Sequence, residues 1–316
     1  MQPFPYFEIL KRAYELTIRN LWLWIFGLFV GGTASINFGW IRYFFPGPKN
    51  IEFQKVEQEW RQILEWFSAH PQVFAAVAGA IVILALVLII FAGLSRGAVI
   101  WAARELSEHR ETFFWRSLKE SRKYFWQIIG LQIVVTVTFG IFFSIILAPI
   151  AYLFSVGAVG RGVVLSLLGL LIFVPGSIVF GFLHLYGPIF IVLYQARISR
   201  AIHLSFNLVR VKLKESIILS AFLIGLSLVF MFLAIFSIIL FSLPVAVLIL
   251  VLFYLKLGTA ATILLVGTAI IGFIYLLVLT AGFAIFQNIV WVLAVSEMVK
   301  TQKLPEEAKA YAVEPA

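Results

Sequence analysis

Residues 112–131 read TFFWRSLKESRKYFWQIIGL, a short basic amphipathic helix passing without a break into the start of a membrane-length apolar one. Phe114, Leu118, Ser121, Phe125 and Ile128 recur at steps of three or four and share one helical face, while Arg116, Lys119, Glu120 and Lys123 fall on the other. Such a helix lies on a membrane surface as an elbow before the chain turns into the bilayer. Residues 6–23 repeat the pattern, with Phe7, Leu10, Tyr14, Ile18 and Leu21 opposite Glu8, Lys11, Arg12, Glu15 and Arg19. Residues 196–217 repeat it again, with Ile198, Ile202, Ser205, Val209 and Leu213 opposite Arg200, His203, Asn207, Arg210 and Lys214. Three elbows predict three copies of one unit: surface helix, span outward, turn, span back. Ala13, Ser121 and Ser205 occupy matching places on the three.

Composition agrees with that reading. Of 316 residues 62% are hydrophobic, the mean hydropathy is +1.04, and apolar runs longer than 18 residues recur, far too much apolar surface for one soluble core. The predicted fold is an all-α, polytopic transmembrane bundle of six spans in three elbow-plus-hairpin units. Unit 1 covers residues 4–111 with an outer loop over 41–71, unit 2 covers 112–195, and unit 3 covers 196–300; a short polar tail, 301–316, follows. The formal net charge of +9 would suggest nucleic acid in a soluble domain, but the placement of the cations points to a membrane instead. Three Lys or Arg precede residue 20, seven lie from Arg96 to Lys123, five from Arg197 to Lys214, and three in the C-terminal stretch; the opposite connections hold Arg42, Lys49, Lys55, Arg61, Arg161 and Lys256. The positive-inside bias therefore places both termini in the cytoplasm.

Along the chain, residues 21–30 followed by GGTAS have the outline of a signal peptide, but Glu8, Glu15 and the elbow pattern before them favour a first span running to about residue 40. Gly27 and Gly31 give a GxxxG spacing suited to close helix approach, read as packing inside the bundle rather than as a dimer face. Within the outer loop, residues 51–67 read as a helix that caps the outer mouth or lies at the interface. Residues 163–195 would reach about 50 Å as one helix, against a hydrocarbon core of about 30 Å, so Pro175 and Gly176 are expected to break it and leave 163–174 as a half-length piece. Pro244 is expected to interrupt the third unit in the same way, leaving 245–255 in the outer half of the bilayer.

Catalytic constellations are not read here. The chain has no cysteine and no aspartate, and His70, His109, His184 and His203 lie far apart. No metal-ligand spacing, phosphate-binding glycine loop or nucleophile elbow is read, so no catalytic residue, metal or cofactor is predicted. Polar residues within the spans are few: Gln132, His184, Gln195, Gln287 and Asn288, plus hydroxyls. One reading of His184, in FLHLYGPIF, is a neutral imidazole hydrogen-bonded to another helix, with Gln287 or Asn288 as partner. The other is a polar cavity lined by His184, Gln195, Gln287 and Asn288. In either case His184 should be shielded from lipid and within one water of Gln287 or Asn288. The elbow cations Lys11, Arg12, Arg19, Arg116, Lys119, Lys123, Arg200, Arg210 and Lys214 are candidate contacts for anionic headgroups, worth about 1 kcal/mol each near the surface.

The run GLSRGAVIWAARELSEHRETFFWRSLKESRKYFWQIIGL, together with RISRAIHLSFNLVRVKLKESIILSAF, resembles uncharacterised prokaryotic six-span membrane proteins, among them the YciC-like proteins and the membrane domain found beside some glycerophosphoryl diester phosphodiesterases. The resemblance covers most of the chain in pattern. It implies a membrane module of a prokaryotic plasma membrane and carries over no catalytic residue. The function expected is a non-enzymatic membrane protein in envelope or lipid organisation, or the membrane subunit of a complex, with lipids and a protein partner or second copy as its partners. A carrier or permease component for a small amphiphile or lipid is the alternative from another class.

Overall fold

The computed structural model describes residues 4–30, 61, 65–66 and 68–301. Every regular element among them is helical: α1 Tyr6–Arg19, α2 Leu23–Val30, α3 Pro71–Ser107, α4 Phe114–Ser121 with a 3-10 turn at Arg122–Tyr124, α5 Phe125–Ser155, α6 Val159–Tyr194, α7 Ile198–Val211, α8 Leu213–Tyr254 and α9 Gly258–Thr301. Five stretches are long and apolar enough to cross a membrane: Pro71–Ser107, Phe114–Ser155, Val159–Tyr194, Leu213–Tyr254 and Gly258–Thr301. Their exposed faces carry Leu, Ile, Val and Phe almost continuously, consistent with an integral membrane protein. Most of the outer-loop helix expected over 51–67, Gly31 of the GxxxG pair and most of the tail lie outside the described residues.

Proline does not break the long helices. Pro175 and Pro188 lie inside α6, and Pro244 lies inside α8, so 163–174 and 245–255 are the distal parts of continuous helices rather than separate pieces. A proline forfeits one N–H bond, but ending the helix in hydrocarbon would strand several backbone groups with no water to receive them. The resulting α6, α8 and α9, of 36, 42 and 44 residues, reach about 54, 63 and 66 Å, a length that tilt or protrusion must absorb. The short helices join the helices that follow them in two ways: Asn20–Trp22 separates α1 from α2 and Lys212 separates α7 from α8, whereas α4 runs through the 3-10 turn into α5 as one helical stretch.

Burial is concentrated at the elbow end. The core takes Ala98–Ile100 of α3, Ile128 and Leu131 of α5, Tyr186–Val192 of α6, Leu219 and Leu223 of α8, and Ile285–Val299 of α9. Toward the other end α3, the α5/α6 hairpin and the α8/α9 hairpin are exposed nearly all round. Each elbow seats on a returning helix: α4 on α3, α7 on α6, and α1 on α9. The faces they bury centre on small residues: Ala13 and Thr17 of α1 beside Ile9, Ser117 and Ser121 of α4, and Ala201 and Ser205 of α7 beside Leu208 and Val209. On α1 the apolar stripe read from the sequence is the outward one. Phe7 is 78% exposed and Tyr14 59%, with Ile18 and Leu21 also exposed, because in a membrane protein the bulky apolar stripe can face lipid while small residues mark the protein contact.

Gly27 shows how close α2 comes to α9. A Cβ there would sit 2.3 Å from the Ala281 carbonyl oxygen, so α2 meets α9 backbone to backbone. Trp24 of α2 closes the same corner, its indole N–H donating to the Thr17 carbonyl at 3.1 Å.

Candidate functional site: a buried arginine at the fork of two helices

Pro188 creates the demand that builds this site. It lacks the N–H that would bond the carbonyl of His184 one turn earlier, leaving that oxygen free in the middle of α6. Arg96 of α3 meets it. Its Nη2 donates to the His184 carbonyl at 2.9 Å, and its Nη1 lies 3.0 Å from His184 Nε2. A guanidinium has no acceptor, so Nε2 must accept, and the imidazole is neutral with its proton on Nδ1. Two turns further on, Arg104 Nη1 donates to the Leu193 carbonyl at 3.2 Å, at the C-terminal end of α6. The two arginines are parallel rungs between two helices that run in the same direction.

Arg96 is 7% exposed, and among the described residues no carboxylate pairs with it. The acidic residues nearby in sequence are engaged at the helix end, where Arg104 and Arg110 pair with Glu108 at 3.2 Å each and Arg110 reaches Glu105 at 3.4 Å. Arg96, counted from the sequence with the basic stretch after the span, is buried inside the bundle. It lies about 16 Å before the end of α3, and His184 about 15 Å before the end of α6, each just past the exposed apolar stretch of its helix.

Of the four residues grouped from sequence, His184 is the one whose side chain bonds another helix, and its partner is Arg96 rather than Gln287 or Asn288. Asn288 is half-buried and donates to Ala284 O of its own helix at 2.8 Å, and Gln287 is half-buried beside it. Gln195 is exposed at the end of α6, in the left-handed conformation (φ 48°) that closes the helix through its N–H to Phe190 O. Next to the site, Tyr186 is fully buried, donates to Ser216 Oγ at 2.8 Å, and packs against Phe182 and Trp291.

All nine elbow cations named from sequence are exposed. Three also hold protein together: Arg12 donates to the Ser107 carbonyl, Arg116 lies 5.7 Å from the Trp101 ring centroid, and Lys123 pairs with Glu120 at 2.7 Å. Exposed Phe7, Trp115, Trp126 and Phe206 stand among them. On α1, burial raises the Tyr6 hydroxyl's pKa, and the Glu215 carboxylate adds to the effect.

A motif that sequence reasoning missed lies here too. Gly93-Leu94-Ser95-Arg96-Gly97 has the GxSxG spacing of a nucleophile elbow, but that device requires a strand-to-helix turn. Here it is the interior of α3, and Ser95 is 2% exposed. Among the described residues no group of three or more His or acidic side chains could hold a metal ion. Two apolar grooves of about 410 and 420 Å³, one between α8 and α9 and one at the tip of the α5/α6 hairpin, do not touch His184. No protein-family model, curated protein or solved structure matches the chain.

Proposed function

We infer that the chain is a non-enzymatic integral membrane protein that organises anionic lipid at the cytoplasmic face of a prokaryotic plasma membrane. In this reading it has six spans in three elbow-plus-hairpin units and both termini inside. The observation that carries it is the shared build of the elbows: small residues inward on a returning helix, cations and aromatic rings outward. Cations interleaved with aromatic rings suit the headgroup layer, where the charge meets phosphate and the ring spans the boundary. The likeness to YciC-like membrane modules points the same way. A carrier of small amphiphiles is the second reading, favoured by the buried Arg96 beside a half-exposed histidine.

The test is the composition of bound lipid. The chain purified from a mixed bilayer should carry anionic lipid in excess over the bulk, and glutamine at Lys11, Arg19, Lys119, Arg210 and Lys214 should lower that excess, as should salt. An excess indifferent to both would remove the basis of this reading.

A further inference from the structure

The geometry points to the Arg96–His184 pair as a binding site for the phosphate of a single anionic lipid, held within the bundle and apart from the elbow surface. This deepens the reading above and rests on it only for the bilayer setting.

Three observations converge. Arg96 is 7% exposed with no carboxylate beside it among the described residues, and a cation kept buried is costly unless it is used. Its two bonds to His184 engage one N–H on each Nη, so three of its five N–H groups have no protein acceptor among the described residues. Accepting at Nε2 leaves the His184 proton on Nδ1, where no protein acceptor lies among the described residues, and His184 is only half-buried. The unused Arg96 donors therefore mark a carboxylate-free locus, with His184 holding the guanidinium through Nε2 and its own Nδ1–H directed to the opposite side of the ring.

The pair also sits where burial gives way to exposure. On α3, residues 79–91 are exposed and burial begins at Gly93; on α6, Ile178 and Gly181 are exposed, and a Cβ on Gly181 would meet nothing within 4 Å. Next to the pair, then, both helices present exposed apolar stretches. An oxyanion carried on acyl chains fits such a place: the chains lie along the exposed apolar stretches of α3 and α6 and the phosphate accepts from the unused N–H groups of Arg96. A free phosphate would offer the same oxygens but leave the apolar stretches unused.

The experiment uses the delipidated full chain, titrated with dioleoyl phosphatidylglycerol, dioleoyl phosphatidylcholine or inorganic phosphate and read by native mass spectrometry. The wild type should hold one phosphatidylglycerol at least tenfold more tightly than phosphatidylcholine, and excess inorganic phosphate should not displace it. Arg96→Leu could unfold the chain by stranding the His184 carbonyl, so it is made with Pro188→Ala, which gives that carbonyl a helical N–H. R96L/P188A should lose the tight lipid while P188A alone and Arg96→Lys keep it. His184→Leu, which leaves the Arg96 bond to the backbone in place, should weaken it severalfold. Retention of the lipid by R96L/P188A at wild-type strength overturns the proposal, and displacement by inorganic phosphate overturns its lipid part. Loss of lipid through the elbow substitutions, with the single tight lipid unaffected, would separate this site from the elbow surface.

Discussion

If Arg96 is held in the bundle by the carbonyl that Pro188 frees, the two residues must be energetically coupled, with the His184 backbone oxygen as the link between them. Arg96→Leu removes both bonds to His184 and leaves a buried carbonyl without a donor, a loss of about 1–3 kcal/mol. It also removes a buried charge without a carboxylate partner, a gain of up to about 3 kcal/mol. The sign of the single substitution is therefore set by two terms of similar size. A double-mutant cycle with Pro188→Ala isolates the first: the charge term is the same in both backgrounds and cancels, whereas the substituted alanine supplies the missing N–H and the carbonyl no longer needs Arg96. The expected coupling is about 1–2 kcal/mol, with Arg96→Leu more harmful when Pro188 is present. Equilibrium unfolding in mixed detergent micelles, followed by helical circular dichroism, measures all four proteins. Equal effects of Arg96→Leu in the two backgrounds, within about 0.5 kcal/mol, would refute the account of why the arginine is there.

Gly27→Ala should destabilise the chain by about 1–3 kcal/mol, because the new methyl has only the Ala281 backbone to displace, while Gly267→Ala, with nothing within 4 Å, should be neutral or stabilising by up to about 1 kcal/mol; thermal unfolding of the two side by side decides it. Single cysteines in this cysteine-free chain at Lys119 and Lys212 should react with an impermeant thiol reagent only after the membrane is opened, and those at Arg161 and Lys256 in intact cells; the reverse pattern would invert the topology.

The helices are legible because their signals are local: apolar runs of spanning length, and basic 3.6-residue periodicity in front of three of them. The proline positions mislead because a helix-breaking weight on Pro175 and Pro244 belongs to water, where freed carbonyls find solvent and a helix ends cheaply; in hydrocarbon the remaining bonds keep it going. On α1 the stripe Phe7, Tyr14 and Ile18 is the exposed one, while Ile9, Ala13 and Thr17 meet the protein, and the usable signal for that contact is the small residue that Ala13 shares in register with Ser121 and Ser205. Arg96 is hidden by its neighbours in sequence, which make it one more cation at a span end. A signal does exist: Pro188 falls four residues after His184, which announces a carbonyl in need of a donor, and Arg96 is followed by seven uncharged residues before Arg104.

The way the short helices seat explains where the buried arginine sits. Two of them, α4 and α7, pack on the helix that immediately precedes them in the chain, a contact any helical hairpin can form locally. The first has no preceding helix, and α1 packs instead on α9, the last, so the ends of the described chain close on each other. That closure surrounds the inner halves of α3, α6 and α9 with small-residue contacts, and the buried stretches of those helices, Gly93–Ala103, Phe182–Val192 and Ala281–Val299, all lie inside it. Beyond the closure nothing holds the helices together except their hairpin partners, and they expose apolar side chains all round. Arg96 lies at the boundary between the two regimes, three residues past the first buried position of α3. Deeper in the core its charge would meet only Ala98, Ile100 and Ala102, and farther out on the arm it would face acyl chains alone; at the fork it has a backbone oxygen, an imidazole and an open side.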